Sequence, residues 1–115
     1  MSKRWGLYLD SSAEAYEKRL AQAVIQYETN ETTGEVILIY PQVTYALDKA
    51  NIRELEEPPK FVYGEAVSPC NHMELVGEIL RIRWHFKKQC YFYIIKIDEK
   101  VRSKRYFDED LVEVI

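Results

Sequence analysis

The sequence predicts an α+β fold: a five-stranded β-barrel at the C-terminus carrying an N-terminal strand–helix–strand extension packed on it. Three observations carry this. Residues 60–115 hold several short apolar and β-branched runs separated by turn signals. Residues 12–28 show apolar positions at steps of three and four, which predicts a helix. Pro58-Pro59, inside the polar stretch Glu54 to Lys60, is stiff and marks a boundary between residues 1–57 and residues 60–115.

Trp5 to Leu9 reads as a short strand. Ser11-Ser12-Ala13-Glu14 then fits a capping box, and Ala13, Tyr16, Leu20, Ala23, Val24 and Tyr27 form one stripe on a helix running to about Glu28. Glu35 to Tyr40 is apolar on both faces, so a strand covered on both sides is expected. Val43, Tyr45 and Leu47 alternate with Thr44 and Ala46, as a half-buried or edge strand would.

In the second half, Phe61 to Val67 is the first strand. In the next, Leu80, Ile82, Trp84 and Phe86 oppose Arg81, Arg83 and His85. A tight turn at Lys87-Lys88 leads to a strand with Tyr91, Tyr93, Ile95 and Ile97 on one face and Cys90, Phe92 and Ile94 on the other. A turn at Asp98-Glu99 follows. Asp108-Glu109-Asp110 suits a single helical turn before a last short strand from Leu111. Gly64 and Gly77 stand where a bend or a close backbone approach is needed. The helix stripe has too few residues to form a core alone, so the two halves are expected to unfold as one cooperative unit.

The pattern Phe61-x-x-Gly64-Glu65-x-Val67, then Gly77-x-Ile79-x-x-Ile82, then Tyr106-Phe107-x-x-x-Leu111-x-x-Val114 resembles small bacterial SH3-like barrel domains over residues 60–115. The resemblance implies a barrel and little about activity, because such domains bind peptides, nucleic acids or other proteins. No functional residue is carried over from it.

No run of about 18 apolar residues is present, and the apolar stretch near the N-terminus is too short for a signal peptide. A cytoplasmic protein with reduced Cys70 and Cys90 is expected, without membrane association. Residues 1–59 carry six Lys/Arg against ten Asp/Glu, a net −4, and residues 60–115 carry ten against nine, a net +1.

No enzyme is expected and no cofactor. The four glycines are scattered, and Ser68 and Ser103 have no local activating partner. Asp108, Glu109 and Asp110 lack the glycine and spacing of a calcium loop. Cys70, His72, His85 and Cys90 are ligand types that zinc accepts, but their order departs from a zinc ribbon, so no metal is expected. The leading expectation is a non-enzymatic protein-interaction module. Tyr63, Arg81, Arg83, Lys87, Lys88, Lys104 and Arg105 are its candidate binding residues, and another protein is its partner. Nine tyrosines exceed what this core readily buries, and Tyr8, Tyr40, Tyr45 and Tyr63 are candidates for exposure. Exposed sheet edges would also allow a homodimer. Two alternatives stand beside it. One is a small acidic cytoplasmic inhibitor, such as a toxin-immunity protein. The other is single-stranded nucleic-acid or RNA binding through the basic and aromatic strands of residues 81–106, where bases would stack on rings and cations would follow phosphates.

Overall fold

The structure, a computed structural model, describes residues 3–114. The chain divides at Pro58 and Pro59 into two compact units. Both are built from antiparallel strands, and the only α-helix among the described residues has five residues, so the fold is all-β and not α+β.

In the first unit the strands are β1 (Lys3–Tyr8), β2 (Ala23–Thr29), β3 (Val36–Tyr40) and β4 (Ile52–Leu55), in the order β4-β1-β2-β3. The cross-strand pairs Gly6 with Ile25, Tyr8 with Ala23 and Tyr27 with Leu38 put these residues on one face. Tyr8, Ala23, Ile25 and Tyr27 are buried there beneath Ala15 and Leu20, with Val36, Leu38, Tyr45, Leu47 and Ile52 at the margin. The pair Leu7 and Val24, on the opposite face, is buried as well.

The expected helix from 12 to 28 is corrected to α1 (Ala13–Glu17) followed by strand β2. Ser12 caps α1 as the sequence suggests, its hydroxyl accepting from the Ala15 N–H at 3.2 Å. Arg19 then adopts φ of 60°, and this left-handed backbone ends the helix, while Gln22 takes φ 59° immediately before β2. Two periods compete over the stripe. Leu20, Ala23, Val24 and Tyr27 satisfy the helical one, while Ala23, Ile25 and Tyr27 satisfy period two. A single helix of this length is marginal, and a β-branched and aromatic segment beside β1 gains a full ladder of hydrogen bonds. Tyr16, expected on the buried stripe, is 78% exposed.

Two further expectations in this unit change. The apolar run 35–40 is not covered on both sides: none of the residues of β3 is buried, and Ile37 is 45% exposed. Residues 43–47 form no strand, although Tyr45 and Leu47 do pack on the core. Among the tyrosines expected outside, Tyr8 is fully buried with its hydroxyl accepting from Asp48 N at 2.9 Å. Tyr45 donates to Asp10 Oδ2 at 2.8 Å.

In the second unit the strands are β5 (Ala66–Pro69), β6 (Gly77–His85), β7 (Cys90–Ile97), β8 (Lys100–Val101) and β9 (Leu111–Glu113), in the order β9-β5-β6-β7-β8. The predicted barrel does not close. The two terminal strands, β8 with two residues and β9 with three, each pair on one side only among the described residues. The sheet is open, with Tyr106 making an isolated bridge to Tyr93. Phe61, expected to start a strand, is a fully buried loop residue whose ring meets Tyr93 edge-on at 5.4 Å.

Alternation along β7 follows the sequence expectation: Tyr91, Tyr93, Ile95 and Ile97 are buried, and the residues between them are half-buried. On β6 the register shifts between Ile79 and Arg81, so Leu80 is an extra residue and Ile79 joins Ile82 on the buried face. Asp98 and Glu99 both have positive φ, which suits the tight turn into β8. Gly64 sits at φ +82°, and a Cβ on Gly77 would lie 2.8 Å from the Lys96 carbonyl oxygen. Both glycines therefore meet a backbone demand.

Candidate interaction surface

The outward face of the β6–β7 hairpin is set by three cross-strand pairs: Arg81 with Ile94, Arg83 with Phe92 and His85 with Cys90. Residues directly opposite share a face, so two arginines and a histidine line up beside a phenylalanine and an isoleucine. The inner face takes Ile82 with Tyr93 and Trp84 with Tyr91. Trp84 and Tyr91 meet edge-on at 5.1 Å.

The connection between the strands is Phe86 to Gln89, longer than the two-residue turn the sequence suggested. Gln89 takes φ 54°, its N–H donates to the His85 carbonyl at 2.8 Å, and the Lys88 N–H donates to His85 Nδ1 at 3.1 Å. With Nδ1 accepting, the neutral imidazole carries its proton on Nε2.

Phe107 reaches this face from a distant part of the chain. The Tyr93–Tyr106 bridge fixes the preceding residue, and the Phe107 N–H donates to Asp110 Oδ2 at 2.9 Å. Three rings then cluster: His85 to Phe107 at 5.8 Å, Phe92 to Phe107 at 6.2 Å and His85 to Phe92 at 6.3 Å. Lys88 Nζ lies 4.4 Å from the Phe107 centroid and Arg105 Cζ 5.0 Å from that of Phe92. Both fall within cation–π range.

The acidic turn Asp108–Asp110 is held in place by the interior. The Tyr93 hydroxyl donates to Asp108 Oδ1 at 2.7 Å and accepts from Lys60 N at 3.0 Å. Burial first, and the Asp108 carboxylate next, push the Tyr93 phenol well above its usual range. Cys90, on the outward face, has its thiol pushed up by burial, an effect that the ammonium of Lys88 opposes and the carboxylates of Glu109 and Asp108 reinforce. A raised thiol is a poor nucleophile at neutral pH.

Of the candidate binding residues, Lys88 and Arg105 stand on the ring cluster, and Arg83 is directly opposite Phe92. Arg81 lies farther along the same face, and Lys87 is exposed in the turn. Lys104 Nζ stands 5.1 Å from the Tyr106 centroid instead. Tyr63 precedes β5, and its hydroxyl donates to the Ile82 carbonyl at 3.4 Å; burial pushes its phenol up, an effect that the Arg83 guanidinium opposes. Cys70, His72, His85 and Cys90 are not gathered among the described residues. Cys70 Sγ donates to the Glu109 carbonyl at 3.3 Å, and exposed His72 is 3.4 Å from Glu74.

Reading the sequence alone missed Phe92 and Phe107 as surface rings. The signal for Phe92 was present, since period two already put it opposite Tyr91 and Tyr93. Phe107 gave none, because its place depends on a long-range bridge. A family of unknown function, DUF6960, matches residues 11–112. No curated protein and no solved structure matches the chain. Among the described residues no helix is long and apolar enough to cross a membrane.

Proposed function

We propose that this chain, which belongs to the family of unknown function DUF6960, is a non-enzymatic protein-interaction module that binds a partner protein through the outward face of β6–β7. The observation that carries the reading is the triangle of His85, Phe92 and Phe107 with Lys88 and Arg105 laid over its rings. Aromatic rings and arginine are enriched where protein interfaces concentrate their binding energy, since they give rigid area with a polar edge. Arg81 and Arg83 extend the cluster as a basic margin, which favours a partner with an acidic rim around an apolar centre.

The same residues argue for protein over single-stranded nucleic acid. The rings of Phe92 and Phe107 are already covered by cationic side chains, so a base would have to displace them before stacking. Asp108, Glu109 and Asp110 follow Phe107 directly, and their carboxylates oppose phosphate. The groups with reactive potential are engaged or muted: His85 Nδ1 accepts a backbone N–H, and the Cys90 thiol is raised.

The test is capture from the source cell by the parent chain and by the double variant Lys88→Glu/Arg105→Glu, with and without nuclease. The expected result is a discrete protein, retained after nuclease and lost with a variant that still melts like the parent. Loss of all bound material to nuclease would replace this reading with nucleic-acid binding.

A further inference from the structure

A recess of about 270 Å³ opens in the first unit over the face of the sheet that carries Arg4, Gly6 and Tyr8. Strand register builds its base. Arg4 stands opposite Tyr27, Gly6 opposite Glu54 and Tyr8 opposite Ile52, so Arg4, Tyr27, Ile52 and Glu54 share one face. Gly6 lets that base close, since a Cβ there would lie 2.9 Å from Ile52 Cγ2 and 3.1 Å from Tyr27 Cε1. Burial first, and the Glu54 carboxylate next, raise the Tyr27 phenol, while the Arg4 guanidinium opposes them. The hydroxyl is therefore a neutral donor at the base of the recess. Arg4 and Glu54 pair with each other, with Arg4 Nη1 3.4 Å from both carboxylate oxygens.

Two further charges reach the recess from turns: Glu31, after β2, and Lys49, before β4. Neither belongs to an ion pair among the described residues. Each stands in a braced turn. Asn30 Oδ1 accepts from the Thr32 N–H at 2.9 Å, and Asp48 Oδ1 accepts from the Ala50 N–H at 3.0 Å. The backbone of both charged residues is thus set before a ligand arrives.

We propose that this recess binds a small zwitterion, a free α-amino acid with an aliphatic side chain, its carboxylate on Lys49 and the Tyr27 hydroxyl and its ammonium on Glu31. Charge balance selects the class. Arg4 and Glu54 neutralise each other, which leaves one cation and one carboxylate to be met. A simple anion would satisfy Lys49 and be repelled by Glu31, and a simple cation would do the reverse. A zwitterion meets both, so the unmatched charge works against every other ligand. Ile52 offers the aliphatic part an apolar contact. The volume is just under the range of about 300–1,000 Å³ typical of ligand pockets, which suits one small molecule.

The recess lies wholly within the first unit and is independent of the ring cluster. Its test is a titration of the full chain with L-leucine, followed by amide chemical shifts. Shifts should move at the lining residues and saturate at about millimolar leucine. The deaminated acid and the decarboxylated amine should each bind about tenfold more weakly or worse, because each leaves one protein charge unmet. Lys49 and Glu31 are both exposed, so Lys49→Gln and Glu31→Gln should melt like the parent. Each should weaken leucine about tenfold. Lys49→Gln should leave the amine's binding unchanged, and Glu31→Gln the acid's. No shift at the recess with about 50 mM leucine, an acid or amine that binds as tightly as leucine, or binding untouched by both variants would each overturn the proposal.

Discussion

Tyr93 and Asp108 are joined by a 2.7 Å hydrogen bond that connects the fully buried centre of β7 to the turn carrying Phe107. The same hydroxyl accepts from Lys60 N, so one side-chain oxygen ties three stretches of the second unit together. Tyr93→Phe removes that oxygen and leaves both partners without it. A loss of about 1–3 kcal/mol in urea denaturation is expected.

The phenol also predicts a pH dependence. Its folded pKa is raised above the unfolded value of about 10, so its contribution is complete below pH 10 and is lost as pH climbs beyond it. The parent should lose stability on the alkaline side more steeply than Tyr93→Phe. Equal slopes would show that Tyr93 does not ionise in the unfolding transition.

Asp10 gives the opposite sign. The Ser12 backbone N–H and then the Tyr45 hydroxyl hold its carboxyl below the usual carboxylate range. Its contribution is present above an unfolded pKa of about 3.9 and is lost as pH falls through the folded value. The urea midpoint should therefore drop between pH 5 and pH 3 by less in Asp10→Asn than in the parent.

Trp84 tests the inner face of the hairpin. Its Nε1 is buried without a hydrogen-bond partner, although the side chain as a whole is only half-buried. Trp84→Phe removes an unsatisfied donor along with some packing, and a change of about 1.5 kcal/mol or less is expected. Tyr91→Ala, at a buried ring, should cost about 3 kcal/mol or more. Were the face assignment inverted, Tyr91→Ala would cost about 0.5 kcal/mol or less in chemical denaturation, as a surface substitution does.

Gly77 tolerates no side chain. An added Cβ would stand 2.8 Å from both Ile97 Cγ1 and the Lys96 carbonyl oxygen, and backbone cannot swing aside as a side chain can. Gly77→Ala should destabilise the chain by about 1–3 kcal/mol, read as a lowered denaturation midpoint. Gly34→Ala makes a useful contrast, because nothing lies within 4 Å there and only the φ of +76° opposes it.

The strongly patterned parts of this fold were legible in the sequence. Strand β7 alternates without exception, so its buried and outward residues could be assigned from period two. The turns at Gly64 and at Asp98 carry residue types that tolerate positive φ, and Glu99 follows Asp98 into the same turn. The end of α1 was not legible, because the left-handed position there is Arg19, which announces nothing of the kind. Strand β2 was misread because Ala23 and Tyr27 fit both periods, and pairing with β1 decided between them. Barrel closure failed for a related reason: residue types suggested strands, but their lengths and partners are tertiary properties. The ring cluster divides the same way, with Phe92 assigned by local alternation and Phe107 by a bridge spanning the hairpin.

The extra residue in β6 bears on how length can vary within the family. Leu80 is the position at which the β6–β7 register slips, so Glu78 and Arg81 lie on the same side despite their odd separation. Removing Leu80 would restore plain alternation from Gly77 to His85 and leave every remaining side chain on its present face. A deletion inside uninterrupted β7 would instead turn over all residues on one side of the cut. A shorter family member, lacking one residue between Ile79 and Arg81, would still direct Arg81, Arg83 and His85 outward.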